Sequence, residues 1–202
     1  MRGLALDTFS NAWKEIVRFT NDALSGVEPK QVDKMVEWII EAKERRLLII
    51  GVGRSGLVGR SFAMRMMHLG FNVYVMGETI TPAIGKGDLI IAISGSGTTK
   101  LVVTASEIAK SVGAKIIAVT SHADSDLGKL ADHVVQVKGR TKVAVETDYF
   151  LRQITGAHEP LAPLGTVFEV SALVFFDSII VELMRKLGKT ERDMLSRHAT
   201  IE

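Results

Sequence analysis

Apolar residues recur every three to four positions at two places early in the chain, Leu6, Phe9, Trp13, Ile16, Val17 and then Val32, Met35, Val36, Ile39, Ile40. That period predicts two amphipathic helices, with Gly26-Val-Glu-Pro29 as the break between them. The pattern then changes to short, nearly continuous runs of Leu, Ile and Val at residues 47–51, 71–76, 89–94, 115–120 and 133–137. Such runs predict strands buried on both faces, as in a parallel sheet. The intervening stretches return to helical spacing: Ser55 to about Leu69, closed by Gly70; 99–112, with Leu101, Ala105, Ile108 and Val112 on one face; and a short turn of helix at 125–131. Residues 166–187 predict a long final helix, apolar on most sides and therefore buried, in part against another subunit. Strands alternating with helices make this an α/β chain, covered on both faces of its sheet.

Two of the strands run straight into glycine-rich loops that open helices. The first reads Leu47-Leu-Ile-Ile-Gly-Val-Gly-Arg-Ser-Gly56 and the second Asp88-Leu-Ile-Ile-Ala-Ile-Ser-Gly-Ser-Gly-Thr-Thr99. A helix N-terminus presents free N–H groups and the positive end of its dipole, which suits phosphate. Right-handed crossovers place both loops at the carboxyl-terminal edge of the sheet. Ser94, Ser96 and Thr99 supply three hydroxyls around Gly95 and Gly97. One helix cap needs one hydroxyl, so the surplus favours a phosphate ligand.

The first loop also fits G-x-G-x-x-G at Gly51, Gly53 and Gly56, with Glu78 near the end of the next strand. That is a dinucleotide-binding pattern. It would leave the serine-rich loop without a task, and Arg54 gains nothing from a positive helix end unless an anion or sugar oxygens lie nearby. Glu169 has two readings that spacing cannot separate. In Thr166-Val-Phe-Glu169 it fits a capping box, and it equally fits a base placed at a helix start. His68, in the last turn of its helix, meets the negative dipole end, which explains it without chemistry. His158 and His198 stand in polar segments, and no spacing of His, Asp and Glu suggests a metal. Residues 139–163 are polar and irregular, with Arg140, Lys142, Arg152, His158 and Glu159, a length usually functional or disordered.

Composition narrows the class. The 202 residues suit one sizeable core, and a formal charge of +2 argues against a nucleic-acid surface. No cysteine means no disulfide, no cysteine-ligated zinc and no thiol catalysis. The opening residues lack the continuous apolar centre of a leader, and Glu169, Asp177 and Glu182 interrupt the longest apolar stretch. The expectation is a cytoplasmic protein with no membrane partner.

With these motifs in place, the chain resembles the sugar isomerase (SIS) domain family, whose S-x-S-G-x-T phosphate motif stands here as Ser94-Gly-Ser-Gly-Thr-Thr99. Over nearly its whole length it is similar to the 6-phospho-3-hexuloisomerase branch. That likeness rests on Gly51-Val-Gly-Arg-Ser-Gly56, Phe62-Ala-Met-Arg-Met-Met-His-Leu-Gly70, Thr81-Pro82, Gly87 to Gly97, Asp148-Tyr-Phe-Leu-Arg-Gln153, His158 to Glu169, and Arg197-His-Ala199. The resemblance implies a single SIS domain over 1–202, a flavodoxin-like three-layer α/β/α sandwich around a five-stranded parallel sheet. Residues 1–45 would be N-terminal helices, 46–187 the core and 188–202 a tail.

It implies interconversion of D-arabino-3-hexulose 6-phosphate and D-fructose 6-phosphate, a step of the ribulose monophosphate route, with no organic cofactor. It further implies a homotetramer and a metabolic pairing with 3-hexulose-6-phosphate synthase. On this view Ser94, Gly95, Ser96, Gly97 and Thr99 grip phosphate, and Gly53, Arg54 and Ser55 meet the sugar or a developing oxyanion. Glu169 moves the proton, and His68, reaching across from a neighbouring subunit, relays protons between oxygens. A non-catalytic sugar-phosphate sensor, or an isomerase of another sugar phosphate, would carry the same loops.

Overall fold

The structure is a computed structural model that describes residues 2–139 and 161–200, with side chains of the first helix from Asp7 onward. The polar stretch with Arg140, Lys142, Arg152, His158 and Glu159, and the motif at 148–153, lie outside the described residues.

Two helices, α1 (Arg2–Ser25) and α2 (Pro29–Glu41), precede the sheet. They are followed by β1 (Arg46–Gly51), α3 (Arg54–His68), β2 (Asn72–Val75), β3 (Leu89–Ile93), α4 (Lys100–Ser111) and β4 (Lys115–Thr120). The short α5 (Asp126–Leu130) leads into β5 (His133–Gln136), and α6 (Thr166–Leu187) and α7 (Glu191–Leu195) close the described chain. All five strands pair in parallel in the order β2-β1-β3-β4-β5. The α/β sandwich expected from the resemblance is therefore the fold observed.

Alternation along each strand divides the core in two. Leu47 and Ile49 of β1, with Leu89, Ile91 and Ile93 of β3, pack with α2, α3, α6 and α7. Leu48 and Ile50, with Ile90 and Ala92, pack with α4 and the residues around α5. The Leu and Ile side chains buried to this degree each contribute about 1.5–3 kcal/mol relative to exposure. Phe62, 1% exposed and 4.4 Å from the Phe176 ring, ties α3 to α6. Its truncation to Ala would cost about 3–5 kcal/mol.

Helix α2 belongs to this core rather than to an appended arm, since Met35, Val36 and Ile39 are all 0% exposed. It also guards the edge strand β5, where the Gln136 amide donates to Gln31 Oε1 at 2.9 Å.

One predicted face is reversed. In α4 the sheet-facing residues are Val102, Ser106 and Ala109, while Leu101, Ile108 and Val112 are exposed. The sheet under α4 presents Ala92 and Ala118, so small residues are what a closely seated helix needs there. Periodicity locates an apolar stripe but does not say which of two overlapping stripes meets the sheet. On α1, Phe9, Trp13 and Val17 are likewise exposed, and α1 lies along α6.

The order of strands decides where a ligand can sit. The chain passes from β1 to β2 through α3 on one face, and from β3 to β4 through α4 on the other. The crevice between β1 and β3 is thus the switch point, where α/β sheets bind ligands at the carboxyl ends of their strands. Gly51 is in register with Ile93, so both glycine loops leave the sheet at one level.

Candidate active site

At that switch point lies a cavity of about 260 Å³. Val52 and Ser55 line it from the first loop, and Ile93, Ser94, Gly95, Ser96 and Thr99 from the second. Leu164, Gly165, Phe168 and Glu169 line it from the start of α6. Three helix N-termini therefore converge on one space. None of the three has a side-chain cap: Gly53, Thr99 and Gly165 hold the N-cap positions of α3, α4 and α6 without such a bond. Of the helices away from the cavity, α5 and α7 are capped by Ser125 and Thr190, while α2 starts after Glu28 without a side-chain cap and with Pro29 in its first turn. Uncapped N-termini leave N–H groups and positive dipole ends free for an anion.

The second loop is braced from behind. Ser121 N–H donates to the Gly95 carbonyl at 3.1 Å, and Leu127 N–H to the Gly97 carbonyl at 3.0 Å. A trans peptide points its N–H opposite its carbonyl, so with Gly95 O turned to β4 the Ser96 N–H faces away from β4. Within the loop, Ser94 Oγ accepts from Gly97 N at 3.2 Å and lies 3.1 Å from Thr99 Oγ1. Ser96 Oγ accepts from the Thr98 amide and hydroxyl at 3.3 and 3.2 Å. The hydroxyls thus order one another, and none of them caps α4.

Gly97 itself turns the loop with φ of +65° and does not line the cavity; a Cβ there would sit 1.9 Å from Ser125 Oγ. In the first loop Gly51 and Gly56 serve close packing, because a Cβ on either would come within 2.9 Å of the backbone around the other. That accounts for two glycines of G-x-G-x-x-G without a dinucleotide. Glu78, the acidic residue of that pattern, lies 3.7 Å from Arg60.

Of the two readings of Thr166-Val-Phe-Glu169, the capping box is not formed. The N-cap of α6 is Gly165, at φ +90°, and Thr166 is the first helical residue. The turn ending in Gly165 shifts the helix start by one residue, so Glu169 falls one place too late to reach back to the cap. Its carboxylate is instead available to the cavity, with a side chain 16% exposed. Oε2 lies 2.9 Å from Arg54 Nε, out of line for a hydrogen bond, and has no hydrogen-bond partner. Arg54 also donates from Nη1 to Thr166 Oγ1 at 3.3 Å, so it spans the starts of α3 and α6. Burial pushes the Glu169 carboxyl above the usual carboxylate range, and the Arg54 charge works against that rise.

Not every expected residue is here. His68 ends the 15-residue helix that Arg54 begins, roughly 20 Å away along its axis. It is 4% exposed and stacks on His198 with ring centroids 4.1 Å apart. Within one chain His68 therefore does not meet Glu169. Conversely, Thr166, Gly165, Leu164 and Phe168 were not singled out as site residues from sequence; Pro163-Leu-Gly165 ahead of an apolar run was the available signal of a turn that ends at Gly165 and starts the helix one residue early. Among the described residues no cluster of His, Asp and Glu could hold a metal ion, and no helix is long and apolar enough to cross a membrane.

Comparison with known proteins agrees with this fold. The SIS domain model matches residues 40–158. An uncharacterized protein of Aeropyrum pernix is 52% identical across 93% of this chain and 90% of its own length. The 3-hexulose-6-phosphate isomerase of Methylomonas aminofaciens is 38% identical across 95% of this chain and 99% of its own. A crystal structure from Methanococcus jannaschii, for which a 3-hexulose-6-phosphate isomerase function was inferred, superposes with a TM-score of 0.75 at 34% identity. It covers 97% of this chain and 99% of that one.

Proposed function

The chain belongs to the SIS-domain family, and from that premise we propose that it interconverts D-arabino-3-hexulose 6-phosphate and D-fructose 6-phosphate. Its named relatives support a sugar-phosphate isomerase; the particular sugar, the mechanism and the ribulose monophosphate route are our reading. The observation that carries it is the sharing of one cavity by the Ser94–Thr99 loop and the Glu169 carboxylate.

Moving a carbonyl from C3 to C2 breaks the C2–H bond and forms a C3–H bond, through an enediolate. Glu169 takes the proton from C2 and returns it to C3, while the hydroxyl proton passes from O2 to O3. A carbon acid is weak, so base and oxyanion stabilisation must act together. Ser94, Ser96 and Thr99, with Gly95 and the backbone that Gly97 turns, hold the phosphate, and the remote charge fixes the sugar in register. Gly53 and Ser55 at the α3 N-terminus, with the Arg54 guanidinium beside the base, face the developing oxyanion. His68 enters this scheme only from a second chain. Assembly with copies of itself is supported by the exposed Phe9, Trp13 and Val17 stripe; pairing with 3-hexulose-6-phosphate synthase is part of the same reading.

The test is conversion of D-arabino-3-hexulose 6-phosphate by the purified protein, followed as fructose 6-phosphate formed and as deuterium taken up from heavy water at C2 and C3. Binding of fructose 6-phosphate without exchange would make the protein a sensor. Exchange into a different phosphosugar would keep the chemistry and change the substrate.

A further inference from the structure

The first turn of α6 is seated between two glycines that belong to different strands' loops. A Cβ on Gly95 would lie 2.8 Å from Phe168 Cδ1, and one on Gly139 would lie 2.7 Å from Phe168 Cα and Cβ and 2.8 Å from its N. Neither position has room for a methyl group. Phe168 is 2% exposed, lines the cavity and immediately precedes Glu169. Its ring therefore bears on the second loop, while its backbone bears on the chain just beyond β5.

Apart from its backbone, the Glu169 carboxylate has the Arg54 guanidinium as its charged neighbour, 2.9 Å from Oε2. Its Oε2 has no hydrogen-bond partner, and the neighbouring Arg54 side chain is 54% exposed. An exposed arginine is a loose anchor, so the helix backbone that carries Glu169 is the rigid element that sets where its carboxylate starts from. We infer that Phe168 is a positioning residue, whose seat between Gly95 and Gly139 sets the spacing between the Ser94–Thr99 loop and the Glu169 carboxylate. The consequence for turnover rests on the isomerase reading; the spacing does not. Close-packed interiors transmit strain, and first-turn residues of a helix move together. A base displaced by about 1 Å can lose on the order of 100-fold in rate.

Gly139→Ala tests this from outside the cavity lining, because the added methyl meets Phe168 backbone and not a ring that can rotate. Phe168→Leu is the second variant, informative if the first does not fold. Three readouts are needed: kcat, affinity for inorganic phosphate, and the Glu169 titration followed by carbon NMR with and without phosphate. In the unaltered protein, bound phosphate should raise the Glu169 titration by repulsion across the cavity. In the variants kcat should fall roughly 10-fold or more, phosphate affinity should stay within about twofold, and the phosphate-induced rise should shrink. Folded variants with unaltered kcat and an unaltered rise would overturn the inference. So would a loss of phosphate affinity as large as the loss of kcat, since the seat would then support the loop alone. If the unaltered protein shows no isomerisation but Gly139→Ala still shrinks the rise, the isomerase reading fails and the spacing stands.

Discussion

Arg54 Nε stands 2.9 Å from Glu169 Oε2, so the first helical residue after β1 is paired with the carboxylate in the first turn of α6. The two come from segments more than a hundred residues apart, and each sits at an uncapped helix start. Burial favours the neutral acid and the guanidinium favours the anion. This carboxylate, held between opposing influences, is the group we propose as the base.

Activity should therefore depend on pH through Glu169. The base must be ionised, so kcat/KM should rise with pH through a value above the ordinary carboxylate range. Glu169→Gln should remove that limb and lower kcat by roughly 10²–10⁴-fold, with fructose 6-phosphate affinity retained. Steady-state kinetics across pH and calorimetry check both halves; near-normal turnover would remove Glu169 from the chemistry.

The same shift has a sign for stability. A carboxyl raised on folding contributes stability while protonated, and loses that contribution as pH rises through its folded value. Above the ordinary carboxylate range Glu169 is thus a burden on the folded state. Glu169→Gln should melt at higher temperature than the unaltered protein near pH 7, with the gap closing as pH falls below the ordinary carboxylate range. Thermal melts at several pH values decide it.

Arg54→Met should remove the charge that opposes the rise. The acid limb of the rate profile should then move to higher pH, and kcat at neutral pH should fall. A limb that stays in place would mean the 2.9 Å pair has no hold on the base.

Gly97→Ala should damage the phosphate loop. It combines a left-handed backbone, φ +65°, with a Cβ 1.9 Å from Ser125 Oγ. The expected loss is about 2–4 kcal/mol in stability, along with weaker phosphate binding. Adding Ser125→Gly should restore part of it. Denaturant melts with and without inorganic phosphate measure both effects.

Glu15 on α1 accepts from the Leu161 and Ala162 amides at 2.8 and 3.3 Å, holding the turn that leads to Leu164 and Gly165. Glu15→Ala should lower kcat severalfold and stability by about 0.5–1.5 kcal/mol, while Glu15→Gln, which keeps the acceptor oxygen, should stay near the parent in both. Equal kinetics for all three would confine Glu15 to the surface.

The strands and most helices were legible because their signals are local. Runs such as Leu47-Leu-Ile-Ile need burial on both faces wherever they fall, and residues 166–187 read as the helix observed. The hydroxyls of Ser94, Ser96 and Thr99 were legible as a cluster because five residues of chain hold them together. The outward stripe of α4 was misread because periodicity carries no direction. The cap reading of Thr166 failed because a single glycine at φ +90° shifts the helix start by one place.

Steric and hydrogen-bonding preferences a few residues wide made the strands, most helices and the two glycine-rich turns readable from the chain alone. Only the tertiary structure decided that Arg54 meets Glu169, that His68 lies at the far end of α3, and that Phe168 wedges between Gly95 and Gly139. Those relations depend on the strand order β2-β1-β3-β4-β5, which brings distant helix starts to one crevice, and no local preference encodes which distant segments share it.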